Sequence, residues 1–506
     1  MSSFRRMAIA GFAIFGLLTT VQASAETLRV GWPATAVTAA YPFARDDGGG
    51  LRGAIYDSLT WLNVKGVLSP RLALSWEIES ANTWVFRLRE NVVFSNGEPF
   101  NAETVVSALD IFYDPAVLHP RTADMGSIES YRARGPYELE ITTSQPDPLL
   151  AKRLSQLPMI EPKAWADKGQ DLYSKEPVGT GPYSVISWGG NNAQPVLEHV
   201  PTSWRPIGNI TRIEVTVISD PGTRVSGMLS GQLDFIVSLA SDDIPMMELA
   251  GFIVHKTDTP NILSIAFRTV RSDESPLTDA RVRRAMNHAV DKGAISKYIL
   301  GGLNQVAHQP ALPGLIGYNP DAVPFDYNPE KAKALLADAG FSDGFPLKFA
   351  VYGGLLPGDT LIFQKMAQDL GAIGIETELQ QVSFPDYVRR LFNGEWDGID
   401  GFSIGWMNNA LWDPQKSFEQ FSCAYSAAFY CDEDMMPLIE AASTEMDPVA
   451  REQMLKDIVL AYTESAAALW LIDFAGASAY NAGIDVGDFR LDGTVYEQMT
   501  FKSPND

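Results

Sequence analysis

The chain has 506 residues, enough for about two to four domains of ordinary size. Hydrophobic residues make up 46% and charged residues 20%, which excludes disorder, collagen and coiled coil over most of the chain. Asp and Glu number 62 against 39 Lys and Arg, and the resulting net charge of -23 disfavours binding to a phosphate backbone.

The first 25 residues are typical of a secretory signal peptide. Arg5 and Arg6 give a positive start, an apolar run follows over 7–18, and Ala-Ser-Ala closes the segment at 23–25. The run is shorter than the ~20 residues of a membrane span, although an amphipathic anchor is an alternative. We expect cleavage before Glu26 and a periplasmic location if the cell has an outer membrane.

Strand and helix patterns alternate through the first half of the mature chain. Alternating apolar residues predict strands over 27–32, 84–88 and 213–218. Asn101 is a suitable cap for a helix over 102–113, and a second helix is expected over 223–230.

The second half has clearer helix signals. Asn328, Pro329 and Glu330 form a helix start, and Gly340 marks its end. The expected elements that follow are a strand over 347–352, a helix over 360–372, a strand over 375–380, a helix over 448–465 and a strand over 468–474. A strand, helix and strand in succession predict parallel sheets covered by helices.

The two cysteines, Cys423 and Cys431, are too few for a disulfide framework or a four-thiolate metal site. In an oxidising compartment we expect a disulfide between them, which would hold the loop 424–430. Closing so short a loop stabilises a protein by at most ~2–3 kcal/mol.

Several segments match catalytic motifs, and each match fails on its context. Gly401–Gly405 reads G-x-S-x-G, but that nucleophile elbow needs a later histidine, and all five histidines precede Ser403. The G-x-G-x-x-G match at 48–53 does not directly follow a strand, and no P-loop motif occurs.

The sequence also gives little indication of a metal site or of a hydrolytic site. The histidines lack metal-binding spacing, so we expect no metal site, and nickel could bind only as a chelate. A secreted glycosidase would need a carboxylate pair, for which Asp397 with Asp400 or Asp242 with Asp243 are candidates.

An ordered series of segments resembles the family 5 extracellular solute-binding proteins, the dipeptide, oligopeptide and nickel-type receptors of ABC importers. These segments are RLALSWE at 71–77, FRLR at 86–89, VFSNGEPFNAETVV at 93–106, VGTGPY at 178–183, GQLD at 231–234, PLTDARVRRAMNHAVD at 276–291, NPEKA at 328–332 with AG at 339–340, and FSC at 421–423 followed by Cys431.

The resemblance implies an α/β, bilobed periplasmic binding protein fold of the cluster C type with an additional inserted subdomain. The implied division is a signal peptide at 1–25, lobe I at 26–58, 183–264 and 478–506, the inserted subdomain at 59–182, and lobe II at 265–477. Such a receptor closes on its solute and presents it to membrane permease subunits. It requires no covalent chemistry and no cofactor, and we expect a monomer.

The ligand-binding residues are also implied by the resemblance. Gly405, Trp406, Met407, Asn408 and Asn409 resemble a Gly-Trp-x-x-Asp stretch whose Asp, in peptide receptors, pairs with the peptide's ammonium group. Here Asn409, or Asn408 if the alignment slips, stands at that position, and an amide lacks the charge of a carboxylate.

The other predicted ligand contacts are the aromatic residues Trp412 and Phe384, and Asp46, for which a solvated loop position is the alternative. The arginine that holds a dipeptide's carboxylate has no counterpart near Gly353. Peptide is the leading solute class by family breadth. An oligosaccharide or opine-like solute, a secreted hydrolase and a chaperone-like surface protein are the alternatives.

Overall fold

The structure is a computed structural model that describes residues 26–33, 40–44, 50–63, 65–117, 122–189, 194–354, 356–487 and 495–503. The predicted signal peptide, its cleavage site and Asp46 lie outside these residues.

The described strands, in chain order, are β1 (Glu26–Trp32), β2 (Thr60–Leu62), β3 (Leu68–Pro70), β4 (Ala73–Ser80), β5 (Thr83–Leu88), β6 (Ile128–Gly135), β7 (Glu138–Thr143), β8 (Tyr183–Gly189), β9 (Gln194–His199), β10 (Ile210–Val217), β11 (Phe235–Ile236), β12 (Ile253–Thr257), β13 (Ile262–Phe267), β14 (Phe345–Tyr352), β15 (Ile375–Val382), β16 (Gly401–Trp406), β17 (Ala468–Asp473), β18 (Gly476–Tyr480), β19 (Ile484–Asp485) and β20 (Thr500–Phe501).

The described α-helices are α1 (Leu51–Ile55), α2 (Ala102–Tyr113), α3 (Leu150–Arg153), α4 (Pro162–Lys175), α5 (Pro221–Leu229), α6 (Ile244–Leu249), α7 (Ala280–Ala289), α8 (Lys292–Ala294), α9 (Pro329–Asp338), α10 (Asp359–Gly371), α11 (Phe384–Asn393), α12 (Gln415–Gln420), α13 (Met436–Thr444) and α14 (Pro448–Glu464). Among the residues described, none of these helices has the length and apolar character that crossing a bilayer requires.

Two of the helix starts confirm the capping signals in the sequence. At α2 the Asn101 side chain accepts a hydrogen bond from the Thr104 backbone N–H, and the Thr104 hydroxyl accepts one from the Asn101 backbone N–H. At α9 the Asn328 side chain accepts from the Lys331 N–H, and Pro329 occupies the first turn, where its missing N–H costs no helical bond.

Two large sheets divide the chain into two lobes. The sheet of lobe I has the order β12-β18-β11-β1-β10-β9-β8, and the sheet of lobe II has the order β15-β14-β16-β13-β17. The predicted parallel pairing of the strands near 350 and 378 is confirmed by β14 and β15, which run in register from Phe345–Ile375 to Tyr352–Val382. Each sheet is nevertheless mixed. In lobe II, β13 pairs antiparallel with both β16 and β17, and in lobe I, β10 pairs parallel with β1 and antiparallel with β9.

Helices cover both faces of the lobe II sheet. Along β13, Ile262 and Ala266 belong to one buried cluster, whereas Leu263, Ile265 and Phe267 belong to a cluster on the opposite face. This alternation follows from the two-residue period of a strand, and both faces are apolar because both are covered.

The inserted subdomain is built around the antiparallel sheet β4-β5-β7-β6. Its buried residues, such as Phe86 and Leu139, form one continuous core with Leu28 and Val30 of β1. The inserted subdomain therefore packs as part of lobe I, and the predicted α/β, two-lobed architecture with an insertion is confirmed.

The chain passes between the two sheets at 258–261, from β12 to β13, and at 474–475, from β17 to β18. The predicted divisions at 264/265 and 477/478 fall inside β13 and β18, because strand pairing continues past them.

Asp473 ends β17 immediately before the second crossing and is fully buried. Its Oδ1 accepts hydrogen bonds from Asn304 Nδ2 at 3.1 Å, the Gln305 N–H at 3.1 Å and the Ala475 N–H at 3.2 Å. Its Oδ2 is buried with no hydrogen-bond partner in the part of the chain described. Burial raises the pKa of this carboxyl to about 6.

We therefore expect Asp473→Asn to be more stable than the wild type at neutral pH. In the unfolded chain the carboxyl ionises near pH 3.8, so the folded state holds its proton more tightly. The resulting stabilisation of the wild type is present below about pH 4 and is lost as the pH rises through 6, which corresponds to about 3 kcal/mol. Asparagine keeps a neutral side chain at every pH, so its advantage grows between pH 4 and 7.

Urea unfolding of both proteins at pH 4 and pH 7.5 measures this difference. Asp167→Asn, at an exposed position of α4, is the matched control for the substitution itself and should leave the free energy of unfolding within about 0.5 kcal/mol of the wild type. If the difference in the free energy of unfolding between Asp473→Asn and the wild type stayed constant with pH, the raised pKa of Asp473 would be contradicted.

Candidate functional site

The predicted ligand stretch lies at the edge of lobe II from which the chain crosses to lobe I. Gly405 and Trp406 end the central strand β16, and Trp406 pairs with Ile262, the first residue after the crossing segment. The Asn409 N–H donates to Asn261 Oδ1 at 2.8 Å. This stretch is therefore attached directly to one of the two connections between the lobes.

Two of the predicted ligand residues are held inside lobe II. The Trp406 indole is fully buried, donates its N–H to Ser264 Oγ at 3.1 Å, and stacks on Phe421 with 3.9 Å between ring centroids. Asn408 is also fully buried, and its Nδ2 donates to the carbonyl oxygens of Pro260 and Pro310.

The Asn408 Oδ1 accepts from Ser417 Oγ at 2.7 Å, so its amide is occupied by the protein at both ends. Asn408 thus fastens the stretch to the crossing segment, and Asn409 is the amide that remains partly accessible. A ligand contact by Trp406 or Asn408 stays a prediction.

Met407 and Phe384 present accessible apolar surface at this part of lobe II. Met407 is 47% exposed and Phe384, in the first turn of α11, is 52% exposed. The Phe384 ring packs on Tyr352 at 5.0 Å, and Tyr352 stacks on Tyr387 at 5.6 Å. Tyr352 was not among the predicted ligand contacts. Its place at the end of a strand parallel to β16 could have indicated it as one.

The position near Gly353, where the arginine has no counterpart, lies beside the side chain of Gln381. A Cβ atom on Gly353 would lie 2.7 Å from Gln381 Nε2, closer than such contacts occur. The backbone beside it is held by Asp359, whose Oδ2 accepts from the Gly354 N–H at 2.7 Å. The Gln381 amide is the end of a flexible, exposed side chain that can move aside, so packing does not by itself exclude a side chain at position 353.

Trp412 contacts the inserted subdomain on the other side of the cleft. Its ring carbon Cγ lies 2.2 Å from where a Cβ atom on Gly66 would stand, so only glycine permits this approach. Gly66 has φ +72° and Trp412 has φ 48°, both in the left-handed region. The Trp412 indole N–H is buried and has no hydrogen-bond partner among the described residues.

Two further polar contacts cross the same junction. Lys152 of α3 donates from Nζ to the Trp412 carbonyl oxygen at 3.3 Å. Lys416 of α12 pairs with Asp124 of the inserted subdomain at 2.6 Å. Lobe II and the inserted subdomain are thus in direct contact through Gly66, Lys152 and Asp124.

A buried ion pair fixes the segment that carries Trp412. Arg451 of α14 makes two hydrogen bonds to Asp413, at 2.6 and 2.9 Å, and its Nε donates to the Ala442 carbonyl oxygen. The Asp413 Oδ1 also accepts from the Gln415 N–H at 3.0 Å. Burial lowers the pKa of the nearby Lys152 ammonium group.

The loop after this segment is closed by the predicted disulfide, which is present between Cys423 and Cys431. Phe421, two residues before Cys423, is the ring on which Trp406 stacks. The disulfide therefore borders the same part of lobe II as the predicted ligand stretch.

Two of the candidate catalytic groups, Ser403 and Asp400, are hydrogen-bonded within the protein. Ser403 is fully buried, and its Oγ accepts from the Tyr352 N–H at 2.9 Å. Asp400 pairs with Arg271 at 2.7 Å and accepts from the N–H of Lys348, which precedes Tyr352 by four residues in β14. Asp242 and Asp243 lie in a 3-10 turn of lobe I.

The described residues contain no group of three or more His, Cys, Asp or Glu side chains able to hold a metal ion. An open cavity of about 500 Å³ lies beside Asp400 and Lys348, lined also by Glu376 and Glu378. It lies away from the stretch 405–409.

The chain is similar to known bacterial solute-binding proteins. Residues 67–428 match the family model described as bacterial extracellular solute-binding proteins, family 5. The heme-binding protein A of Haemophilus influenzae is 29% identical over 377 residues, which cover 66% of this chain and 66%, just under two thirds, of that protein. The nickel-binding periplasmic protein of Escherichia coli is 27% identical over 80% of this chain and 81% of its own length.

Solved structures agree in fold. The periplasmic binding protein DppA of Helicobacter pylori, in complex with the peptide STSA, superposes with a TM-score of 0.81 over 94% of this chain and 98% of that one, at 20% identity. At that identity the likeness shows the shared fold alone.

Proposed function

We propose, since the chain belongs to the family 5 bacterial extracellular solute-binding proteins, that it is the solute-binding component of an ABC importer. It would close its lobes on one small solute and present it to the permease subunits in the inner membrane. A solute that contacts both lobes stabilises the closed state by the difference between its affinities for the closed and open states.

The observation that carries this proposal is the position of the stretch 405–409. It joins the centre of the lobe II sheet to the crossing segment through Asn408 and Asn409, and the accessible surfaces of Met407 and Phe384 lie in the same lobe. Beyond it, Trp412 reaches the inserted subdomain at Gly66. A solute bound beside this stretch would therefore affect both the hinge and the contact between the lobes.

A short peptide is the leading solute class. Asn409 supplies an amide in place of the carboxylate of peptide receptors, so a peptide would have to be held by hydrogen bonds and aromatic surface such as Phe384 and Tyr352. The same groups suit a sugar or an opine-like solute, which is the alternative within this role.

The receptor role includes export and the absence of turnover. The signal-peptide pattern and the expected cleavage before Glu26 fit a periplasmic protein, as does the disulfide between Cys423 and Cys431. A secreted hydrolase would need an accessible nucleophile or carboxylate pair, and the buried Ser403 supports the non-catalytic role. We expect a monomer.

A thermal-shift screen of the chain from Glu26 onward tests the proposal. The panel contains peptides of two to five residues, disaccharides, opines and metal chelates. A solute at 100 times its dissociation constant adds ~2.7 kcal/mol to the stability, which raises the melting temperature by several degrees. Saturable shifts with peptides support the leading class, and shifts only with sugars or opines support the alternative. A melting temperature unchanged by the whole panel would contradict the proposed function.

A further inference from the structure

The junction between the inserted subdomain and lobe II contains two hydrogen-bond donors that lack some or all of their acceptors among the described residues. They are the Lys152 ammonium group and the Trp412 indole N–H. The Lys152 ammonium group makes one hydrogen bond, to the Trp412 carbonyl oxygen, and no ion pair in the part of the chain described. The Trp412 indole N–H is buried and finds no hydrogen-bond acceptor among the residues that the structure describes. A buried donor without an acceptor is unfavourable, so a hydrogen-bond partner for these groups would be favoured.

The other cations at this junction have acidic partners. Lys416 pairs with Asp124, and Arg153 pairs with Asp147 at 3.0 Å. Arg451 occupies both oxygens of Asp413, the acid whose charge acts on Lys152. Within the described parts of the chain, the positive charge of Lys152 therefore has no carboxylate in direct contact.

The position of these donors links them to the predicted ligand stretch. Trp412 follows Asn409 by three residues, and Lys152 belongs to the subdomain on the other side of the cleft. At Asn409 this chain also lacks the carboxylate that would repel an acidic group. An acidic group beside Lys152 would thus meet a cation that has no ion pair among the described residues, and no carboxylate at position 409.

We infer that Lys152 and the indole N–H of Trp412 form an acid-binding subsite of the solute cleft, so that the transported solute carries a carboxylate at the end facing α3. This inference rests on the proposed function. An ammonium and a neutral N–H that converge on one carboxylate would supply a charge-assisted hydrogen bond and a second, neutral one. The same contact would bridge the lobes, because Lys152 and Trp412 lie on opposite sides of the junction.

Matched pairs of solutes test the subsite. The probes are peptides of two to five residues with a free or an amidated C-terminus, and aldonic acids with their parent aldoses, titrated by calorimetry. For at least one pair we expect the acid to bind the wild type at least about tenfold more tightly than its uncharged partner. Lys152→Gln should remove on the order of 10–100-fold of the acid's affinity and leave that of the uncharged partner within about twofold.

Two further variants separate recognition from packing. Lys152→Arg keeps the charge and should retain most of the preference for the acid. Lys163→Gln removes an exposed lysine of α4 in the same subdomain and should change nothing. Equal binding of acid and uncharged partner by the wild type, or an equal loss for both in Lys152→Gln, would overturn the inference while the receptor role stands. Binding of no pair at all would overturn both.

Discussion

Replacing Gly66 by alanine should weaken solute binding by about 10–100-fold. The new Cβ atom would stand 2.2 Å from Trp412 Cγ, so the inserted subdomain and lobe II could no longer approach as they do here. Overpacking of this kind costs about 1–3 kcal/mol. Because the clash exists only when the two parts are in contact, it destabilises the closed state and lowers the apparent affinity by the same free energy.

Gly97→Ala is the matched control for this variant. Gly97 lies in the same subdomain with φ +89°, but a Cβ atom there would meet no described residue within 4 Å. Alanine therefore carries the same left-handed backbone penalty at both positions, and only Gly66→Ala adds the clash with Trp412. Calorimetric titration of both variants with a solute from the screen measures the difference. Equal affinities in Gly66→Ala and Gly97→Ala would show that this contact has no part in closure.

Replacing Arg451 by methionine should lower the free energy of unfolding by about 3–5 kcal/mol. Methionine is similar in length but leaves the Asp413 carboxylate, which is completely buried, without its cation. It also leaves the Ala442 carbonyl oxygen without the Arg451 N–H. Since Asp413 adjoins Trp412, the variant should also disturb the segment that contacts Gly66 and Lys152.

Arg281→Met provides the comparison for this loss. Arg281 pairs with Asp279 at 2.6 Å, but its side chain is 48% exposed, so water can replace the carboxylate's partner. Exposed pairs contribute about 0–1 kcal/mol, and we expect a loss in that range. Urea unfolding followed by tryptophan fluorescence compares both variants with the wild type. A loss below about 1 kcal/mol in Arg451→Met would contradict the structural role given to the pair.

Elements with local signals were predictable from the sequence. The expected helix at 102–113 is α2, and the helix expected at 448–465 is α14, Pro448–Glu464. Both begin at residues whose capping chemistry is independent of the rest of the fold. The strand expected at 468–474 is β17, whose six residues are all buried.

The sheet of the inserted subdomain was harder to predict for a physical reason. Every residue of β6 is exposed or half-buried, and the strand is held by cross-strand contacts such as the pair between Arg132 and Glu140. A strand exposed on one face and charged along it has no apolar alternation that a sequence reveals.

In the candidate site, too, features that depend on neighbouring residues were predictable, and features that depend on residues distant in sequence were not. The position of the stretch 405–409 could be predicted from its resemblance to a known motif. The inward packing of Trp406 and Asn408 depends on Ser264, Pro310 and other residues distant in sequence. The contacts of Trp412 with Gly66 and Lys152 join positions more than two hundred residues apart, which spacing within one segment cannot reveal.

The measurement that tests the receptor role most directly is native mass spectrometry of the chain from Glu26 onward, mixed with the solute panel. We expect a complex of one solute with one chain, and we expect that solute to be released with unchanged mass when the protein is unfolded. Release of a cleaved or otherwise altered solute would show turnover and contradict the receptor role. A chain that forms no complex with any member of the panel would contradict it as well.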